Sequence, residues 1–99
     1  MDSYRFDPKR PAVPGETHIL LAEDGQIYAR IVQAVLNKAG YTLSWVDDGV
    51  KAYEAIRDGF RPNLLITDVL MPGMSGFELI TRLKSENCLP PTIVLTGLQ

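Results

Sequence analysis

Residues 63–78, NLLITDVLMPGMSGFE, decide how this chain folds. Asn63 to Thr67 reads as a strand whose centre, Leu64-Leu65-Ile66, is apolar without interruption and whose end is a carboxylate, Asp68. Apolar character at consecutive strand positions means both faces are covered, the condition of a parallel sheet between helices. Met71-Pro-Gly-Met74 continues neither strand nor helix and is a loop. Ser75-Gly-Phe-Glu78 has capping-box spacing, in which a Ser hydroxyl accepts a backbone N–H and Glu reaches back. It predicts a helix with Phe77, Ile80 and Leu83 on its buried face.

The same alternation extends in both directions. His18-Ile-Leu-Leu-Ala22 is a first strand ending in Glu23-Asp24-Gly25. From Gln26 to Ala39, Ile27, Ile31 and Val35 and the adjoining Tyr28, Val32 and Leu36 recur at helical spacing, with Gly40 as the C-terminal stop. Tyr41 to Val46 is a second strand. Asp47-Asp48-Gly49 caps a second helix, Val50 to about Asp58, with Tyr53 and Ile56 inward and Gly59 at its end. After Pro90-Pro91 comes a fourth strand, Thr92 to Leu95, ending at Thr96. The order β-α-β-α-β-α-β predicts a parallel sheet in three α/β/α layers with right-handed crossovers, for which the flavodoxin-like strand order 2-1-3-4 is assumed.

Composition bounds the rest. The chain has 99 residues, 45% hydrophobic, enough for one core. Ten basic against twelve acidic residues give a net charge of -2 and no basic stripe, which argues against nucleic-acid binding by this segment. One cysteine, Cys88, excludes an internal disulfide. Residues 1–10 carry five charges, unlike a signal peptide, and the apolar runs are too short for a membrane span, so a cytoplasmic setting is expected. Residues 1–16, with Pro8, Pro11, Pro14 and Gly15, read as a flexible leader, and residues 17–99 as the domain.

Open sheets of this type collect ligands at the carboxyl ends of strands, near the point where strand order reverses. Strand 1 delivers Glu23 and Asp24 there, strand 3 Asp68 and strand 4 Thr96. Clustered carboxylates raise one another's pKa unless protons or a cation intervene. Mg2+ fits, since it takes oxygen ligands and keeps waters. A carboxylate beside Mg2+ can attack phosphorus and form an acyl phosphate, to which Thr96 can hydrogen-bond.

Three segments, Ile19-Leu-Leu-Ala-Glu-Asp24, Leu65-Ile-Thr-Asp-Val-Leu-Met-Pro-Gly-Met-Ser-Gly76 and Ile93-Val-Leu-Thr96, resemble motifs of response-regulator receiver domains. The resemblance spans roughly residues 17 to 99. It implies that Asp68 is the phosphoacceptor and that Mg2+ is bound by Asp24, Asp68 and the Leu70 backbone carbonyl, with Glu23 acting through water. Thr96 would be the switch hydroxyl, and the donor a phosphohistidine on a sensor histidine kinase or phosphotransfer protein. Gly97 stands where the family often has alanine. The family's fifth strand and its terminal lysine are absent from this chain, and Lys9, Lys38, Lys51 and Lys84 match no such position.

Other readings compete. A blander reading has Glu23 and Asp24 cap the first helix and favour its dipole; Asp47 and Asp48 read as caps of the second, and Pro72 and Gly76 as loop geometry, with Gly76 keeping the backbone close to its neighbours. His18, at a strand start, lies far from the acidic rim, and Trp45 and Cys88 read as packing residues. A haloacid-dehalogenase-type phosphohydrolase needs a second Asp two residues after the nucleophile, where Leu70 stands. A flavin or nucleotide module needs a glycine-rich loop after strand 1, which is lacking. A receiver-like interaction module that is never phosphorylated is the remaining alternative. With one helix on its face, the sheet is expected to expose Leu64 to Ile66 and Ile93 to Leu95 and to leave strand 4 an apolar edge. A homodimer or an element swap would cover these.

Overall fold

The computed structural model describes residues 17–95. The leader assigned to residues 1–16, and Thr96 to Gln99, lie outside the described residues.

The elements are β1 (His18–Ala22), α1 (Gln26–Lys38), β2 (Thr42–Val46), α2 (Gly49–Arg57), β3 (Leu64–Asp68), α3 (Gly76–Ser85) and β4 (Thr92–Leu95). The strands form one parallel sheet in the order β2-β1-β3-β4, as expected. β1 is central and buried along its whole length. Its side chains alternate between layers, as strand geometry demands. Leu20 and Ala22 meet Ala52, Tyr53 and Ile56 of α2 and Leu79 and Leu83 of α3, whereas Ile19 and Leu21 meet Ala29, Val32 and Leu36 of α1. β3 divides likewise, Leu65 toward the α2/α3 layer and Ile66 toward α1. The first and second crossovers therefore leave on opposite faces, and the switch point falls between β1 and β3.

Local signals sit where the chemistry of each residue places them. Ser75 caps α3, its hydroxyl accepting the Glu78 N–H at 3.1 Å, and Asp48 caps α2, accepting from Lys51 N–H at 2.7 Å. Asp47 is no cap: it pairs with the Lys51 ammonium at 2.6 Å on the surface. Gly40 and Gly59 follow their helices with φ of 98° and 116°, a region that costs only glycine nothing. At the opposite end from the acidic tips, His18 Nε2 lies 2.7 Å from Ser44 Oγ and its ring meets Phe60 edge-on, a structural role.

Two expectations about burial, on α3 and on the sheet, need correction, and α1 shows which of its apolar residues turn inward. On α3 the inward residues are Leu79 and Leu83, while Phe77 is 59% exposed and Ile80 half-buried. Gly76 packs against the end of β3 and fixes the rotation of the helix, so the inward stripe is 76-79-83. On α1, Ala29 and Gln33 are buried and Val32 and Leu36 half-buried, whereas Ile27, Ile31 and Val35 point outward. On the sheet, Leu65 is buried against the α2/α3 layer, while Ile66 is buried and Leu64 half-buried in the layer with α1. Exposure concentrates on β4, at Ile93 (49%). Among the described residues β4 is paired only with β3.

The α3 correction has a measurable consequence. Leu79→Ala is expected to cost about 2–5 kcal/mol through lost burial and a cavity. Phe77→Ala should cost less than about 0.5 kcal/mol, as an exposed side chain does. Urea unfolding of the two variants reads the difference. Equal losses would mean that α3 is rotated from this position.

Candidate metal centre

β1 ends at Ala22, and two bonds from β2 hold the next residue. The Glu23 N–H donates to the Val46 carbonyl at 3.0 Å, and the Trp45 indole Nε1–H donates to the Glu23 carbonyl at 2.8 Å. The Glu23 side chain folds over the turn so that its Oε2 accepts the Gly25 N–H at 3.0 Å. α1 then begins with Gly25 at its N-cap and no side-chain capping bond, so neither Glu23 nor Asp24 caps that helix. β3 ends at Asp68, whose Oδ1 accepts the Val69 N–H at 2.8 Å, and the buried Thr67 hydroxyl donates to the Asp68 carbonyl at 3.0 Å. The loop beyond is returned to the strand by the Gly76 N–H, which donates to the Val69 carbonyl at 2.8 Å.

These turns bring Glu23, Asp24 and Asp68 together: each offers a carboxylate oxygen, all within 4.8 Å of one another. Two of the three are nearly lost to solvent, Glu23 at 1% and Asp68 at 2% exposure, while Asp24 is exposed. Burial pushes the Glu23 carboxyl above its ordinary pKa, the Gly25 N–H pulls it back, and the charges of Asp68 and Asp24 push it up again. Glu23 Oε1 is buried with no hydrogen-bond partner. A buried charged oxygen without a partner is costly, and the charges of the neighbouring carboxylates add repulsion. A hard divalent cation answers both demands. Ligand oxygens around a magnesium-sized ion stand roughly 3 to 4 Å apart, so this cluster needs only small side-chain rotations to close on one.

Of the other anticipated site residues, Leu70 follows Asp68 in the β3–α3 loop with its side chain exposed, and Thr96 lies outside the described residues. The bond from Trp45 to the Glu23 carbonyl was not anticipated. An aromatic residue in an alternating strand signals packing, and nothing in its spacing reveals what its N–H meets.

A flavodoxin-like open sheet with an acidic pocket at its switch point defines a class of small α/β modules that gather ligands at strand tips. The chain belongs to the response regulator receiver domain family, whose model matches residues 19–99. It is 35% identical over 80 residues to the transcriptional regulatory protein YkoG of Bacillus subtilis, covering 81% of this chain and 35% of that protein. Over 86 residues it is 31% identical to the two-component response regulator ORR6 of Oryza sativa subsp. japonica, covering 83% of the chain and 51% of the relative. The signal receiver domain of a signal transduction histidine kinase from Syntrophus aciditrophicus superposes with a TM-score of 0.73 at 34% identity, covering 84% of this chain and 64% of that one. The chain thus spans between 35% and 51% of the length of these two curated relatives. Among the described residues, no helix is long and apolar enough to cross a membrane.

Proposed function

We propose that this receiver domain accepts a phosphoryl group on Asp68 from a phosphohistidine donor, with Mg2+ held in the acidic pocket. The observation that carries the reading is the convergence of Glu23, Asp24 and Asp68, two of them buried, within 4.8 Å of one another. Asp24, Asp68 and the Leu70 backbone carbonyl would hold the ion, and Glu23 would reach it through water. When bound, the ion supplies charge neutralisation for an incoming phosphoryl group.

This chain's own residues do the rest. An Asp68 carboxylate oxygen attacks phosphorus, the P–N bond of the donor breaks, and its electron pair returns to the imidazole, which takes up a proton. The bond from the Val69 N–H to Oδ1 fixes the plane of the carboxylate. Burial removes water that would otherwise solvate the nucleophile. The Thr96 hydroxyl contacts the new phosphoryl group, and its movement biases a protein-interaction surface between two states. A sensor histidine kinase or phosphotransfer protein is the partner that would supply such a phosphohistidine.

The reading is tested by incubating the protein with acetyl phosphate and Mg2+ and measuring its intact mass. A single phosphoryl adduct that forms only with the metal is expected. Absence of the adduct would favour a receiver-fold interaction module that works unphosphorylated. Metal occupancy alone has its own signature. Mg2+ at a hundredfold excess over Kd should stabilise the fold by about 2.7 kcal/mol, raising the thermal midpoint by on the order of 10 °C. A midpoint indifferent to Mg2+ and to chelator would contradict the assigned ligands.

A further inference from the structure

The Glu23-Asp24 turn is where this site is hardest to hold. Two carboxylates leave adjacent residues there, with a third, Asp68, facing them within 4.8 Å. Their repulsion drives the turn open. One side chain outside the acidic cluster opposes that movement. Trp45, the penultimate residue of β2, is half-buried and packs in the apolar layer with Ile19, Leu21, Leu43 and Ile66. From that anchored position its indole N–H donates to the Glu23 carbonyl at 2.8 Å, while the next residue, Val46, accepts the Glu23 N–H at 3.0 Å. Both backbone polar groups of Glu23 are thus gripped by consecutive residues of the neighbouring strand. The Glu23 carbonyl belongs to the peptide that joins Glu23 to Asp24. Fixing its direction fixes the backbone from which the Asp24 side chain departs.

We infer that Trp45 is a positioning residue of the acidic pocket, its indole N–H setting the orientation of the Glu23–Asp24 peptide for cation binding. The inference rests on the magnesium reading given above. Trp45 touches neither the ion nor the phosphoryl group; it acts through Asp24 and Glu23. A partner that orients the ligands of a metal, without ligating it, changes affinity by about tenfold or more when removed. Ordinary packing on the same face would affect stability alone.

Two replacements separate these roles. Trp45→Phe deletes the N–H and keeps an aromatic ring. Because Trp45 is the chain's single tryptophan, tryptophan replacement by the sulfur isostere benzothienylalanine deletes the N–H at nearly constant volume, and serves if the Phe variant does not fold. Mg2+ affinity is measured by calorimetry, and stability by urea unfolding in chelator. Expected is about a tenfold weaker Kd for Mg2+ in both forms, with the isostere's metal-free urea midpoint near that of the parent. An unchanged Kd in the folded isostere overturns the positioning role and leaves the metal reading standing. A parent protein that takes up no Mg2+ overturns both.

Discussion

Asp68→Asn is expected to acquire no phosphoryl group from acetyl phosphate in the presence of Mg2+, with the rate falling by at least about a thousandfold. The amide is neutral and its oxygen a poor nucleophile, so the substitution deletes the reacting electron pair while keeping the shape of the side chain. The fold should survive. Oδ1 of Asn can still accept the Val69 N–H that Asp68 Oδ1 accepts at 2.8 Å. Removing one of three crowded carboxylates also relieves repulsion, so the metal-free thermal midpoint should equal or exceed that of the parent. Intact-mass measurement and thermal unfolding of one preparation report both. An adduct that persists in Asp68→Asn places the acceptor elsewhere. Loss of the adduct together with loss of the fold would mean that Asp68 is first of all a structural residue.

Gly76→Ala carries the second large effect, on stability and through it on the site. A Cβ at Gly76 would stand 2.1 Å from the Asp68 carbonyl oxygen and 3.1 Å from its carbon. Both are backbone atoms, so no side chain can swing away. The first turn of α3 must retreat from the end of β3, weakening the bond between the Gly76 N–H and the Val69 carbonyl. Overpacking of this kind costs about 3 kcal/mol, and the displacement moves the strand tip that carries Asp68. A lowered urea midpoint with weakened Mg2+ binding is expected. Gly49→Ala offers a comparison at the start of α2, since its Cβ would lie 2.0 Å from the carbonyl oxygen of Met74 in the β3–α3 loop. It should destabilise without moving Asp68. If Gly76→Ala leaves the midpoint unchanged, the close approach of α3 to β3 is wrong.

Both predictions depend on features that were unequally legible. Asp68 announces itself, because an acidic residue closing an apolar run, followed by Met71-Pro72-Gly73 and the Ser75 cap, has few other uses. Gly76 reads as a glycine that keeps the backbone close to its neighbours, and packing identifies that neighbour as the Asp68 carbonyl. α3 repeats the lesson. Phe77, Ile80 and Leu83 satisfy a helical period as well as Gly76, Leu79 and Leu83 do, and the choice between stripes depends on what the sheet presents. α1 carries apolar residues around so wide an arc that Ile27, Ile31 and Val35 remain outside while Val32 and Leu36 pack inward.

By itself the sequence determined the alternation of strands and helices, the parallel character of the sheet and the acidic residues at its tips. These follow from local rules: two-residue and 3.6-residue periods, caps, and right-handed crossovers. Tertiary structure alone decided which helical stripe faces inward, how closely the β3–α3 loop approaches its neighbours, and that Trp45 grips the Glu23 carbonyl. Those relations join residues distant in the chain through hydrogen bonds and steric fit at the ångström scale, and no spacing along the chain encodes a distance across it.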